Sequence, residues 1–290
     1  MNTAPKTWTI GDILNTTAKF LTKYDISTPR LDAELLLAKV LNLSRVKLYI
    51  NFERVLSTHE LDEYREFVRR RSKYEPVAYI LGEKEFYGLK LKVNSHTLIP
   101  RPDTECMVDE ALRLAQEFTH DSITIADIGC GSGAIALALK SNLPKSRVIA
   151  SDISLESLEV AKENAKNLNL DIEFFQDDLM LPPFPDLKFE IICANLPYIS
   201  TAAMPHLDKP ILCFEPQSAL CGGKDGLEFY SRLIPEAAEK LVTGGALLIE
   251  LDPHQFPPMV ALAEKLKLKP QDPIKDLAGL DRIFVSRKPS

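Results

Sequence analysis

From residue 123 towards the C-terminus the chain alternates short apolar runs with stretches of helical period, and no other feature restricts the fold as much. The run Ile123-Thr124-Ile125-Ala126-Asp127-Ile128 is followed by Arg147–Asp152, 172–175, Phe189–Ala194, 245–251 and 282–286. Helical period fills intervals between them, at 134–139, at 155–168, in the stretch reaching Leu241, and at 257–266. Runs that stay apolar without alternation belong to strands covered on both faces. Strands spaced by helices pack as one doubly wound, mostly parallel sheet. The fold class is therefore α/β.

Ligands of such sheets sit beyond the carboxyl ends of the strands, at the switch point beside the first strand. There the chain carries Gly129-Cys130-Gly131-Ser132-Gly133. Glycine lets the backbone approach a ligand, and amides opening a helix attract polar groups. A tight β–α turn without a ligand would use the same residues. Asp152 closes the second strand, about twenty residues further on, where a carboxylate accepts both hydroxyls of a ribose. The spacing Gly-x-Gly-x-Gly behind Asp127 differs from the dinucleotide fingerprint, and no Lys-Ser/Thr follows that would mark a phosphate-cradling loop. A nucleoside without phosphates fits better. Asp178 is placed to accept from an adenine amino group and Leu179 to cover the adenine face. S-adenosylmethionine is that kind of ligand.

The fourth strand runs into Asn195-Leu196-Pro197-Tyr198. The amide side chain and the Leu196 carbonyl, held extended before a proline, offer two acceptors for the two hydrogens of a planar –NH2 group. The Tyr198 ring offers a face to lie against its plane. A plain strand exit, with Asn195 capping a turn, uses the same chemistry.

The first 82 residues have only helical period, at 10–21, at 31–41 after Thr28-Pro29, and at 57–72 with Leu61, Tyr64, Phe67 and Val68 on one face. They predict a small helical bundle. Arg69-Arg70-Arg71 reads as a solvated helix end rather than a docking patch for an acidic partner. Between residues 86 and 93 the period becomes two around Gly88, which predicts a β-hairpin linker. Pro100-Arg101-Pro102 then forms a rigid elbow ahead of a helix at 104–118. The expected domains are 1–82 and 83–290, with the loop 200–226 either a lid or a rigid connection.

Charge and cysteine usage exclude whole classes of function. A net charge of −6 argues against a partner held through many phosphate contacts. Five scattered cysteines without a Cys-x-x-Cys pair form neither a disulfide framework nor a zinc site, so no metal is expected. No run approaches the roughly 18 apolar residues of a membrane span, and the start lacks an apolar signal core. A cytoplasmic monomer is the expectation.

Asp127-x-Gly129-x-Gly131-x-Gly133, Asp152 and the Asn-x-Pro-Tyr after the fourth strand resemble the class I methyltransferases that alkylate planar amino nitrogens. Within them, Leu98-Ile99-Pro100-Arg101-Pro102-Asp103-Thr104-Glu105, Glu85-Phe86-Tyr87-Gly88, Phe214-Glu215-Pro216, Gly222-Gly223-Lys224-Asp225-Gly226-Leu227 and Lys275-Asp276-Leu277-Ala278-Gly279 resemble the release-factor glutamine N5-methyltransferases, the PrmC/HemK family. The resemblance covers nearly the whole chain. It implies a Rossmann-like, mostly parallel seven-stranded sheet behind a small helical domain. It also implies methyl transfer from S-adenosyl-L-methionine to the glutamine of the Gly-Gly-Gln motif in peptide chain release factors, leaving S-adenosyl-L-homocysteine.

The helical domain would help hold the release factor, with no direct nucleic-acid binding and no membrane. Gly129, Cys130, Gly131, Ser132, Gly133, Asp152, Asp178, Leu179 and Asn195 would hold the cofactor, while Asn195, Leu196, Pro197 and Tyr198 would carry the reaction. The sequence departs from the family pattern at Leu196, where proline is usual; the expectation is that only its carbonyl matters and its side chain is free to vary. An adenine-N6 methyltransferase acting on nucleic acid and a glutamine methyltransferase acting on a ribosomal protein remain alternatives.

Overall fold

The computed structural model describes residues 7–119, 122–179 and 186–289, and the chain divides into two compact units. The smaller takes the chain up to Gly82 together with Asp208–Phe214; the larger takes Glu83–Leu207 and Glu215–Ser290. No helix among the described residues is long and apolar enough to cross a membrane.

The smaller unit begins with α1 (Ile10–Thr22), α2 (Pro29–Leu41), α3 (Arg45–Ile50), α4 (Thr58–Arg71) and α5 (Val77–Leu81). Thr9 with Asp12 and Ser57 with Glu60 close reciprocal caps on α1 and α4. The short α3 and α5 lack enough turns to show a period in sequence. Ile10, Leu14, Leu36, Leu37, Leu48 and Tyr64 form the core, and the buried Tyr64 hydroxyl donates to the Ala33 carbonyl at 3.1 Å.

The triple arginine is only in part the solvated helix end expected: Arg69 is exposed, Arg70 half-buried and Arg71 buried. Arg69 pairs with Glu66 and Arg70 with Glu75, while Arg71 reaches Asp32 at 2.6 Å with both side chains buried. Leaving either member of such a buried pair alone costs about 3–5 kcal/mol, so Arg71 is a structural residue.

In the larger unit, β1 (Glu83–Phe86) and β2 (Leu89–Lys92) form the expected antiparallel hairpin. Its two-residue turn, Tyr87-Gly88, has φ of 50° and 73°, the left-handed geometry that matches strand twist. After α6 (Glu105–Ala115) come β3 (Thr124–Ile128), α7 (Ala134–Asn142), β4 (Arg147–Asp152), α8 (Leu155–Leu168), β5 (Glu173–Gln176) and β6 (Phe189–Ala194). The connection at 200–226 is not featureless: it contains the 3-10 turns Met204–His206 and Gln217–Ala219, with α9 (Lys209–Phe214) between them. Then follow α10 (Glu228–Lys240), β7 (Leu241–Glu250), α11 (Phe256–Lys265), β8 (Lys269–Pro270), β9 (Ile274–Lys275) and β10 (Asp281–Arg287).

The sheet order is β5-β4-β3-β6-β7-β10-β8, with β9 also on β10. Both dipeptide strands pair with the edge of β10 away from β7, so they share one position and the sheet has seven positions across. The pairs from β5 to β7 are parallel and β10 is antiparallel. Successive strand residues enter opposite cores: Ile125, Cys193 and Leu248 on one face, Ala126, Ile192 and Ile249 on the other. Burial on both faces is why these strands read as unbroken apolar runs.

Candidate active site

Register alone brings the candidate residues into one row. Ile128 pairs with Ser151 on one side and Ala194 on the other, and Ala194 pairs with Ile249. The next residue of each strand is therefore Asp152, Gly129, Asn195 and Glu250, in that order across the sheet. At ~4.8 Å per strand, Asn195 stands about 10 Å from Asp152. The switch point falls between β3 and β6, because the chain leaves β3 for β4 on one side and returns to β6 on the other.

A cavity of about 420 Å³ opens over this row, within the range of small-molecule sites. Its lining includes Gly129, Cys130, Gly131, Ser132, Asp152, Asp178, Leu179, Asn195, Leu196 and Pro197. Gly133 and Tyr198 are not part of that lining. Gly133, at φ 81°, is the N-cap of α7 instead.

Gly129 and Gly131 hold φ of 71° and 55°, a conformation that other residues enter only with strain. The Gly131 amide donates to Asp152 Oδ2 at 2.8 Å and the Ser154 amide to Oδ1 at 2.9 Å. Asp152 thus shapes the loop as well as facing the cavity, and each of its oxygens keeps a further lone pair for a ribose hydroxyl. Burial holds its carboxyl above the ordinary range. Behind the loop, burial pushes Asp127 up to about 7; its Oδ2 accepts from the Ala136 amide at 2.9 Å. Asn164 ties the loop to the hairpin, donating to the carbonyls of Ser132 and Lys92 at 3.0 Å each. At the far end the Asp178 carboxylate takes a 2.9 Å bond from Arg232, so an adenine amino group would share that acceptor.

The lining suits an unphosphorylated, cationic nucleoside. It presents Asp152, Asp177 and Asp178 against one guanidinium, Arg101. That cation is already committed: Arg101 pairs at 2.5 Å with the buried Glu215, which also accepts from the Ile99 amide. Phosphates would meet carboxylates here, whereas a sulfonium charge is favoured. S-adenosylmethionine meets these requirements.

At Asn195 the amide is turned one way. Nδ2 donates to Glu250 Oε2 at 3.1 Å and to Thr104 Oγ1 at 3.2 Å, and Oδ1 has no protein partner among the described residues. The Tyr198 hydroxyl donates to Glu250 Oε1 at 3.1 Å, so its ring stands on the Glu250 side of the row. The buried Tyr230 hydroxyl accepts from the Leu196 amide at 3.1 Å. Its single proton serves the closer Glu250 carbonyl at 2.7 Å rather than the Leu196 carbonyl at 3.1 Å. Leu196 O therefore keeps acceptor capacity while its peptide plane is fixed.

Glu250, Thr104 and Tyr230 are not among the site residues that the sequence predicts. For Glu250 a signal existed: one acid at the end of an otherwise apolar buried run, as Asp152 is on β4. Nothing local marks Thr104 or Tyr230.

The expectation that the Leu196 side chain is free to vary needs correction. It is buried, and its Cδ2 lies 2.6 Å from where a Cβ on Gly129 would stand, so leucine fills the space above the first loop glycine. Leu196→Pro keeps the carbonyl but loses this packing and the bond to Tyr230. It is expected to destabilise the protein by about 2–4 kcal/mol in chemical denaturation while turnover stays within roughly tenfold. An unchanged unfolding midpoint would refute the packing role.

A carboxamide locked as an acceptor beside a pocket for a cationic nucleoside is what methyl transfer to an N–H nitrogen needs. Fold and site together define a class I, S-adenosylmethionine-dependent methyltransferase. The chain is 41% identical over 286 residues to the release factor glutamine methyltransferase of Rhodopirellula baltica, covering 97% of each protein, and 38% identical over 287 residues to that of Geobacter sulfurreducens, covering 99% of each. It belongs to the release factor glutamine methyltransferase family. Residues 12–82 match the family described as PrmC N-terminal domain, and 125–209 that described as Methyltransferase domain. A methyltransferase from Pyrococcus furiosus, 18% identical, superposes with a TM-score of 0.51 over 70% of this chain and 90% of its own, a likeness of fold.

Proposed function

We propose that this protein methylates the side-chain N5 of the glutamine in the Gly-Gly-Gln motif of peptide chain release factors. Family membership supports the substrate, and the orientation of Asn195 is the observation that carries the chemistry. S-adenosylmethionine, when bound, supplies an electrophilic methyl group on a sulfonium. Asn195 Oδ1 and the Leu196 carbonyl each accept one N–H of the glutamine amide. Its lone pair, otherwise delocalised into the carbonyl, is thereby aimed at the methyl carbon. Both bonds strengthen as positive charge develops on nitrogen. Tyr198, outside the cofactor cavity, offers its ring to the substrate amide. Positioning supplies most of the acceleration, up to roughly 7–11 kcal/mol in well-aligned systems. The surplus proton leaves after transfer, so no strong base is needed beforehand.

The helical unit is assigned the task of holding the release factor. A nucleic-acid adenine has the same –NH2 geometry, but no observation favours it: Arg69, Arg70 and Arg71 are each paired with an acid, and the cavity is rich in carboxylates. The test is cofactor-dependent methylation of a purified release factor, with the modified residue mapped by mass spectrometry. One added methyl on the Gly-Gly-Gln glutamine is the expected product; methyl on nucleic acid alone would overturn the reading.

A further inference from the structure

We propose that Glu250 is the positioning residue that decides which end of the Asn195 amide meets the substrate, with Thr104 as its relay. This rests on the amide-methylating reading above. The two ends of an asparagine amide are nearly the same size, so only hydrogen bonds select between them. The choice here is built from one carboxylate. Thr104 Oγ1 donates its proton to Glu250 Oε2 at 2.6 Å, which obliges that hydroxyl oxygen to accept from Asn195 Nδ2. The same Oε2 takes Nδ2 directly, and Oε1 is occupied by Tyr198. A group at this place that donates turns Asn195 over and sets its N–H bonds against those of the substrate.

The side chain is 2% exposed, so water cannot substitute for it. The titratable groups facing it are Tyr198, Tyr230 from α10, Arg282 from β10, and Asp103 and Cys106 at the start of α6. Burial raises the Glu250 carboxyl above its ordinary range, and Asp103 adds to this, while Arg282 and the bonds from Thr104 and Tyr198 oppose it. A raised carboxyl pKa means that turnover is lost as pH falls through it, at a higher pH than an ordinary glutamate would show.

Glu250→Met, which removes both acceptors at similar volume, is the test, read by steady-state kinetics on a purified release factor. The expected loss is roughly 10²-fold in kcat at unchanged KM and cofactor affinity. The acid limb of the wild-type kcat profile should disappear with it. A kcat within about threefold of wild type, or an acid limb that persists, would overturn the proposal. If the variant fails to fold, Thr104→Val removes the relay without touching a charge; a kcat loss of about tenfold is expected, and none would overturn the proposal. Separately, the side-chain NH2 resonance of Asn195, recorded by NMR without substrate, should titrate in the wild type and shift in Glu250→Met. An unmoved resonance contradicts the positioning role even if the release factor proves not to be the substrate.

Discussion

Replacing Asn195 with alanine is expected to lower kcat on a release factor by roughly 10²–10³-fold, about 3–4 kcal/mol, with cofactor affinity nearly unchanged. The size follows from where the acceptor acts. Oδ1 is free because both Nδ2 bonds are spent on Glu250 and Thr104, so removing the side chain deletes an acceptor that needs no reorganisation during methyl transfer. Cofactor affinity should survive because Asp152, the proposed charged anchor of the ribose, stands about two strand spacings away, with the glycine loop between. Single-turnover methylation with calorimetry of cofactor binding separates the two effects. Near-normal turnover would end the two-acceptor mechanism.

The second large effect belongs to Asp152. Asp152→Ala is expected to weaken S-adenosylmethionine binding by roughly 10²-fold or more, since a bond to a charged acceptor contributes about 1.5–3 kcal/mol and two ribose hydroxyls are involved. The loss has a second source. The carboxylate also accepts the Gly131 and Ser154 amides, and without it the glycine loop loses the bond that holds Gly131 in place. Asp152→Asn keeps shape and one acceptor and should fall between the two proteins. Unchanged affinity by calorimetry in the alanine variant would remove Asp152 from the cofactor site.

Much of the architecture was legible because it is written in local periods. The buried strands read as apolar runs and the change to period two around Gly88 as a hairpin. What local pattern does not show is short or non-local. Helices α3 and α5 span too few residues for a period to appear, and Arg71 looked solvated because its partner Asp32 lies 39 residues earlier. Leu196 looked interchangeable because the space it fills, above Gly129, belongs to another strand. For Tyr198 the motif predicts a ring at the ligand, and its hydroxyl bond to Glu250 depends on a residue 52 positions away.

The sequence by itself determined the class of sheet, the glycine loop, the acid after β4 and the amide after β6, since each lies within a few residues of the strand that presents it. Tertiary structure alone decided that Asp152, Gly129, Asn195 and Glu250 stand in one row. That row is a consequence of strand register, which joins residues far apart in the chain. It also decided the direction of the Asn195 amide and of the Leu196 carbonyl, because an amide side chain has two nearly equal ends and only partners brought in by β7, α10 and the start of α6 distinguish them.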